Sequence, residues 1–408
     1  MADMKTKLSN DEDIIEIQNA EHLHSIINRY SETDEWISPF ICELGVIGVH
    51  KNPIVYALQG QKVKGVKLNR NGYEIPMPQI DLEVEENREC VEEGYGVFLA
   101  HPGAGGYTLT PTRKIAFQSI CDRAGDACST MLRFDRSANR QVLPIEEKAE
   151  RLSRDMLLYS DDCNGLIRDG KISFLGSKAY KILPEKDLVE ALETVLKTSH
   201  PNLTFSSGLF SHEYLMVEYL LNNEEMEESF KLLLEDAGMK VETLKAGVRF
   251  STSSVGYSAV KASCFYLADK VRFSLGSGIY MEHSGNASID EFTSRLQLLG
   301  NCFKENEKRI EELGNMDIAN IGKVLRAIRE KYTVLSRSIT DDVAKEYETT
   351  FAAGGATGID VYMALNEIIQ RQANGASPTT YINLYEMVER MMRLPFAAID
   401  RGEDWHKV

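Results

Sequence analysis

Two stretches of this 408-residue chain concentrate cations where acid is scarce. Between Glu43 and Glu74 there is no acidic residue, while Lys51, Lys62, Lys64, Lys67 and Arg70 all lie there. Lys62 and Lys64 are two apart, so on a strand they share a face. From Lys245 to Tyr280 the chain carries Lys245, Arg249, Lys261, Lys270 and Arg272 against Asp269 alone. Phe250, Tyr257, Phe265, Tyr266, Phe273 and Tyr280 are interleaved with them. A basic sheet set with aromatic rings suits single-stranded nucleic acid, because cations hold the phosphates and rings stack on the bases. The residues expected to hold the backbone are Lys245, Arg249, Lys261, Lys270 and Arg272, with Lys62 and Lys64 from the first zone. Tyr257 and Tyr266 are expected to stack. The competing reading is a half-exposed sheet whose rings all face the core. The basic zone could also meet the acidic run 81–93 of a second copy and make a homo-oligomer.

The other chemistry-bearing residues read as structural. Gly103-Ala-Gly-Gly106 resembles a phosphate loop, but position 108 is Thr108 and no G-K-[ST] follows, so a turn is expected. Gly354-Gly-Ala-Thr-Gly358 reads as a loop ahead of a helix at Asp360. Ser251-Thr-Ser-Ser254 lacks the G-x-S-x-G elbow and reads as a turn whose hydroxyls bond the backbone. The histidines include no H-E-x-x-H, and His22 and His24 point to different sides of a helix. The seven cysteines include no C-x-x-C, and Cys121 and Cys128 read as core residues. No catalytic residue, metal or cofactor is expected, and the cysteine usage fits a reducing cytoplasm.

The elements that must position these residues give an α+β fold. A mixed or antiparallel sheet forms the core, helices flank it, and the C-terminal region is mainly helical. A helix carrying Leu23, Ile26, Ile27 and Tyr30 precedes strands at 41–49 and 53–58. A helix is expected from Pro111 to about Gly125, and others at 145–159 and 184–197. Asp169-Gly170 marks a turn before a strand at 171–175. Strands are densest from 247 to 279. Ser288, with Glu291 three residues on, opens a helix read as continuous to Leu313. Residues 1–110, 111–287 and 288–408 are the expected regions.

The net charge of −16 differs from that of a uniformly basic nucleic-acid binder, so any binding face must be local. An apolar fraction of 43% allows a full core, and no run of 18 apolar residues is present to span a membrane. The polar, acidic residues 1–16 lack the layout of a secretory signal.

Four segments resemble the phage and plasmid family called domain of unknown function 932. They are residues 110–125, residues 167–188, residues 246–257 with Glu282-His283-Ser-Gly285, and residues 358–367. Where that family carries C-x-N-G, this chain has Phe273-Ser-Leu-Gly-Ser-Gly278. The resemblance implies a mobile-element context and supplies no catalytic residue. The leading expectation is a non-enzymatic nucleic-acid-binding accessory serving replication, recombination or defence evasion. A self-assembling or host-protein-binding module is the alternative. A nucleotide or nucleic-acid enzyme is the third reading, and it needs a carboxylate or histidine cluster that spacing does not assemble.

Overall fold

The computed structural model describes residues 5–49, 62–63, 67–70, 73–126, 144–269, 271–274, 278–373, 384, 386–387 and 389–405. Lys51, Lys64, Lys270, His50, His406, Cys128 and the strand expected at 53–58 lie outside them.

Local chemistry sets several helix starts. Asn19, Asn223, Ser288 and Asn320 stand immediately before the helices Ala20–Thr33, Glu224–Asp236, Ile289–Leu296 and Ile321–Lys331. Each cap side chain accepts a hydrogen bond from the backbone N–H three residues on, satisfying one orphan donor of the first turn.

The fold is α+β. Seven strands form one antiparallel sheet in the order Ile15–Ile17, Thr204–Phe210, Leu215–Leu220, Leu244–Thr252, Val260–Ala268. Val271–Phe273 and Gly278–Met281 pair with opposite ends of the Val260–Ala268 strand. Side chains alternate across a strand. One face therefore carries Val217, Val248, Phe250, Ala262, Cys264 and Tyr266, all buried. The helices Glu224–Asp236 and Leu299–Gly314 pack against this sheet. The opposite face carries Glu218, Arg249, Ser251, Lys261 and Ser263.

A second part of the molecule has two three-stranded sheets. Gly45–Gly48, Val97–Gly103 and Gly106–Pro111 form one, and Glu35–Ile37, Cys163–Arg168 and Lys171–Ser177 form the other. A parallel bridge between Thr112 and Ile172 joins them. Helices Ala116–Ala124 and Ile145–Met156 cover their apolar cluster. The Asp169-Gly170 turn has both residues at positive φ, 49° and 73°, which matches the twist of a tight hairpin.

Three expectations need correction. Pro111 and Thr112 belong to a strand end and a bridge rather than to a helix, because Thr112 donates its backbone N–H and its hydroxyl to the Val97 carbonyl. The helix read from 288 to 313 is two helices, Ile289–Leu296 and Leu299–Gly314, and the break turns both Leu296 and Leu299 into the core. The apolar cores do not divide at 110 and 287. The large-sheet core takes residues from Leu8 to Tyr30 and from Leu183 to Trp405. The smaller clusters lie within residues 37–175. Among the described residues, no helix is long and apolar enough to cross a membrane.

Candidate functional site

The polar face of the large sheet is built by register. Lys261 lies directly opposite Tyr280 on one side and Ser251 on the other. The next row runs Gly278, Ser263, Arg249, Glu218. A Cβ at Gly278 would lie 1.9 Å from the Ala262 carbonyl oxygen, so this strand approaches its neighbour only as glycine. Small residues thus make a floor beside the Lys261–Tyr280 pair.

A C-terminal helical segment, seen at Leu384, Glu386, Met387, Glu389, Arg390 and Met391, forms the facing wall. Glu386, Glu389, Arg390 and Arg393 are spaced i, i+3, i+4, i+7, so they line one side. Leu384 and Met391 are buried on the other. Between sheet and segment lies a cleft of about 600 Å³. Its charged lining is Arg249, Lys261, Arg390 and Arg393 against Glu386 and Glu389. The cleft is locally cationic in a chain of net charge −16.

Beneath the cleft, two arginines and two carboxylates form a buried cluster. Arg249 Nε donates to Glu218 Oε1 at 2.8 Å, and Arg249 Nη1 lies 3.0 Å from Glu389 Oε1. Arg272 Nη2 donates to Glu218 at 3.0 Å, and its guanidinium lies 3.9 Å from the centre of the Phe265 ring. Burial alone would raise the Glu218 carboxyl, but Arg272 and Arg249 more than offset it and hold it at about 2. Burial pushes Glu389 up despite the same two arginines. For Arg249, burial opposes the charge, yet Glu389 and Glu218 hold its pKa above the usual value. Exposing this cluster means lifting a segment that buries Leu384, Met391 and Met392. At about 1.5–3 kcal/mol for each such side chain, the lift costs several kcal/mol, so Arg249 and Arg272 act from under cover.

A second cleft, of about 480 Å³, adjoins the first, and Tyr280 borders both. Its lining includes Arg123, Phe174, Tyr180, Tyr257 and His283. Residues from 110–125, 167–188 and 246–257, far apart in the chain, therefore meet here. Cβ atoms at Gly176 and Gly256 would fall 2.5 Å and 3.0 Å from the Phe174 ring, so these glycines allow the ring to lie against the backbone. The Tyr180 hydroxyl donates to the Ser254 carbonyl at 3.0 Å, and its ring stacks on His283 with centroids 5.0 Å apart. His283 Nδ1 lies 3.1 Å from the Lys181 carbonyl, so Nδ1 carries the proton of the neutral ring. Burial lowers the pKa of this histidine. Tyr257 and Tyr280 stand out from this wall, 59% and 56% exposed.

The structure gathers some of the expected residues and separates others. Arg249, Lys261 and Arg272 converge on or below the first cleft. Lys245 lies further along its strand, with Nζ 3.0 Å from Glu227. Lys62 is on a separate two-stranded sheet opposite Asp81, where only its backbone is described. Lys64 and Lys270 lie outside the described residues. Tyr257 is exposed as expected. Tyr266 is not: it is fully buried, its ring stacks on Phe230 at 3.7 Å, and its hydroxyl donates to Glu307 at 2.8 Å. Parity explains this, because Tyr266 and Lys261 are five apart on one strand and must face opposite ways. Sequence reasoning missed Arg390 and Arg393, whose signal was the polar stripe at helical spacing. It noted Tyr280 without singling it out.

The remaining motifs have structural roles. Gly103 and Gly106 close a β-hairpin. At Gly358 the helix N-terminus is occupied by Asp360, whose carboxylate accepts from the Thr357 backbone N–H at 2.7 Å and hydroxyl at 2.9 Å. Ser253 Oγ accepts from the Tyr257 N–H at 3.0 Å, as expected of a hydroxyl turn, whereas Ser254 Oγ donates to Glu185 at 2.8 Å. Among the described residues, no group of three or more His, Cys, Asp or Glu side chains is arranged to hold a metal ion. Comparison of the chain with protein-family models, with curated proteins and with solved structures gives no match.

Proposed function

We propose that this protein is a non-enzymatic accessory that binds single-stranded nucleic acid along the Tyr257–Tyr280–Lys261 surface. Its setting would be the cytoplasm of a cell that hosts a phage or plasmid, in replication, recombination or defence evasion. The observation that carries the reading is the cross-strand pair Lys261–Tyr280. It puts a cation beside a ring 56% exposed, at the seam between a cationic cleft and an aromatic one. A strand of nucleic acid needs both: rings contribute sequence-tolerant stacking, and cations follow the phosphates. Neither cleft needs Arg249 or Arg272 to leave its carboxylate partners. The resemblance of four segments to a mobile-element family supports the setting and not the chemistry.

The test is fluorescence anisotropy with a labelled twenty-nucleotide oligo-dT, using protein stripped of nucleic acid by a high-salt wash. Binding at low salt that weakens steeply as salt rises is the expected result, since phosphate contacts release counterions. Tyr280→Ala and Lys261→Gln should each weaken it. No binding by the stripped wild-type protein at low salt would overturn the reading.

A further inference from the structure

We infer that Glu386 is a built-in competitor for the phosphate, and that it sets the affinity and the salt range over which the cleft holds a polyanion. The inference rests on the reading above and adds a residue that acts against binding. Lys261 Nζ donates to Glu386 Oε2 at 3.2 Å, and Arg390 Nη2 lies 3.9 Å from the same oxygen. One carboxylate thus engages the lysine opposite Tyr280 and the arginine on the facing wall. The other oxygen, Oε1, accepts from the Tyr214 hydroxyl at 3.2 Å, which fixes the carboxylate over the lysine. The Lys261 and Glu386 side chains are 27% and 19% exposed and both line the cleft, so a ligand entering it would meet this pair.

Glu389 makes an instructive contrast on the same helical face. Its side chain is 3% exposed and lies against Arg249 and Arg272, two cations that burial already commits to carboxylate partners. Removing that charge would leave the arginines short of a counter-ion. Glu386 instead faces cations that a phosphate could reach. A phosphate carries the same charge as Glu386 and wants the same N–H donors. Where both crowd Lys261, repulsion between the like charges opposes the incoming strand.

The test is Glu386→Gln, which keeps the shape and one acceptor oxygen for Lys261, turns an amide N–H toward the Tyr214 oxygen, and removes the charge. The probe is the same labelled oligo-dT, titrated across a salt series. The expected result is roughly threefold or greater tightening at low salt, in line with loss of one partly exposed ion pair. The slope of log affinity against log salt should steepen by about 0.7 per newly engaged phosphate. In the double variant Lys261→Gln, Glu386→Gln most of that gain should vanish. A thermal melt superimposable on wild type confirms that the cleft is intact, and Arg390→Gln, which should flatten the slope, gives an independent measure. If wild type binds and Glu386→Gln binds no tighter with an unchanged slope, the inference is overturned while the binding reading stands. If neither protein binds, the reading itself falls.

Discussion

Two of the buried arginine clusters among the described residues make different use of their charge, and the one around Arg249 borders the cationic cleft. In the first, Arg168 is almost wholly buried at the end of the Cys163–Arg168 strand. It contacts Asp34 at 2.6–3.1 Å and Glu185 at 3.2 Å, with its guanidinium over the rings of Tyr30 and Phe210. Asp34 closes the first helix, and Glu185 opens the Glu185–Ser199 helix. Arg168 therefore joins the smaller sheets to the large-sheet core. In the second cluster, Arg249 and Arg272 share Glu218 and Glu389. There the neighbours Lys261 and Arg390 stay at the rim, with Arg390 66% exposed. The contrast teaches that arginine type and spacing do not separate a strut from a ligand contact. Burial and the number of carboxylates in reach do.

The largest expected effect tests the strut. Arg168→Met leaves Asp34 and Glu185 buried without their cation, and breaking a buried pair from one side costs about 3–5 kcal/mol. Denaturant unfolding should show that loss. Arg249→Met should cost nearer the low end, about 3 kcal/mol, because Glu218 keeps Arg272 and the Ser207 hydroxyl. If Arg249→Met left stability intact and abolished oligonucleotide binding, the second cluster would be a binding element and not a support.

Tyr280→Ala should do the reverse. Oligonucleotide affinity should fall by about 1–3 kcal/mol with little change in the melt, because the exposed ring would lose stacking and not packing. Tyr266→Ala should destabilise the fold instead, through the lost contact with Phe230.

Acid should separate the two clusters. His212 is buried near Arg113, Arg168 and Lys171, and burial, then those cations, push its pKa down to about 2. Its folded value lies below the unfolded one near 6.5, so its contribution is complete above that pH and declines as pH falls. The expected slope is at most about 1.4 kcal/mol per pH unit per histidine, and the lowered His101, His200 and His283 add in the same direction. Glu218, also depressed, keeps its contribution until pH falls below the ordinary glutamate value, about 4.3. Glu389, raised by burial, works against that loss by taking a proton more readily when folded. Melts between pH 7 and 5 should therefore weaken the wild type, and His212→Asn should flatten the change. An unchanged pH profile in that variant would remove the first cluster as the acid-sensitive one.

Much of the fold was legible because it depends on short-range chemistry. The Ser288 cap, the Asp169-Gly170 turn and the two-residue alternation of the Leu244–Thr252 and Val260–Ala268 strands are written in neighbouring residues. The first strand, Ile15–Ile17, was not legible, since three residues carry too little pattern and its partner is Thr204–Phe210. The candidate site was half legible. The basic, aromatic composition of residues 245–280 was visible, and parity alone placed Tyr266 away from Lys261.

The amino-acid sequence by itself determined the fold class, the helix start at Ser288, the local basic zones and the faces on which side chains of one strand emerge. All of these follow from interactions between residues a few positions apart. Only the tertiary structure decided which cations meet carboxylates. Glu218 reaches Arg249 from a neighbouring strand. Glu386 and Glu389 arrive from a segment more than a hundred residues downstream of Lys261 and Arg272. Whether a charge is spent inside the protein or left at its rim depends on such distant partners, because burial is a property of the packed chain and not of any stretch of it.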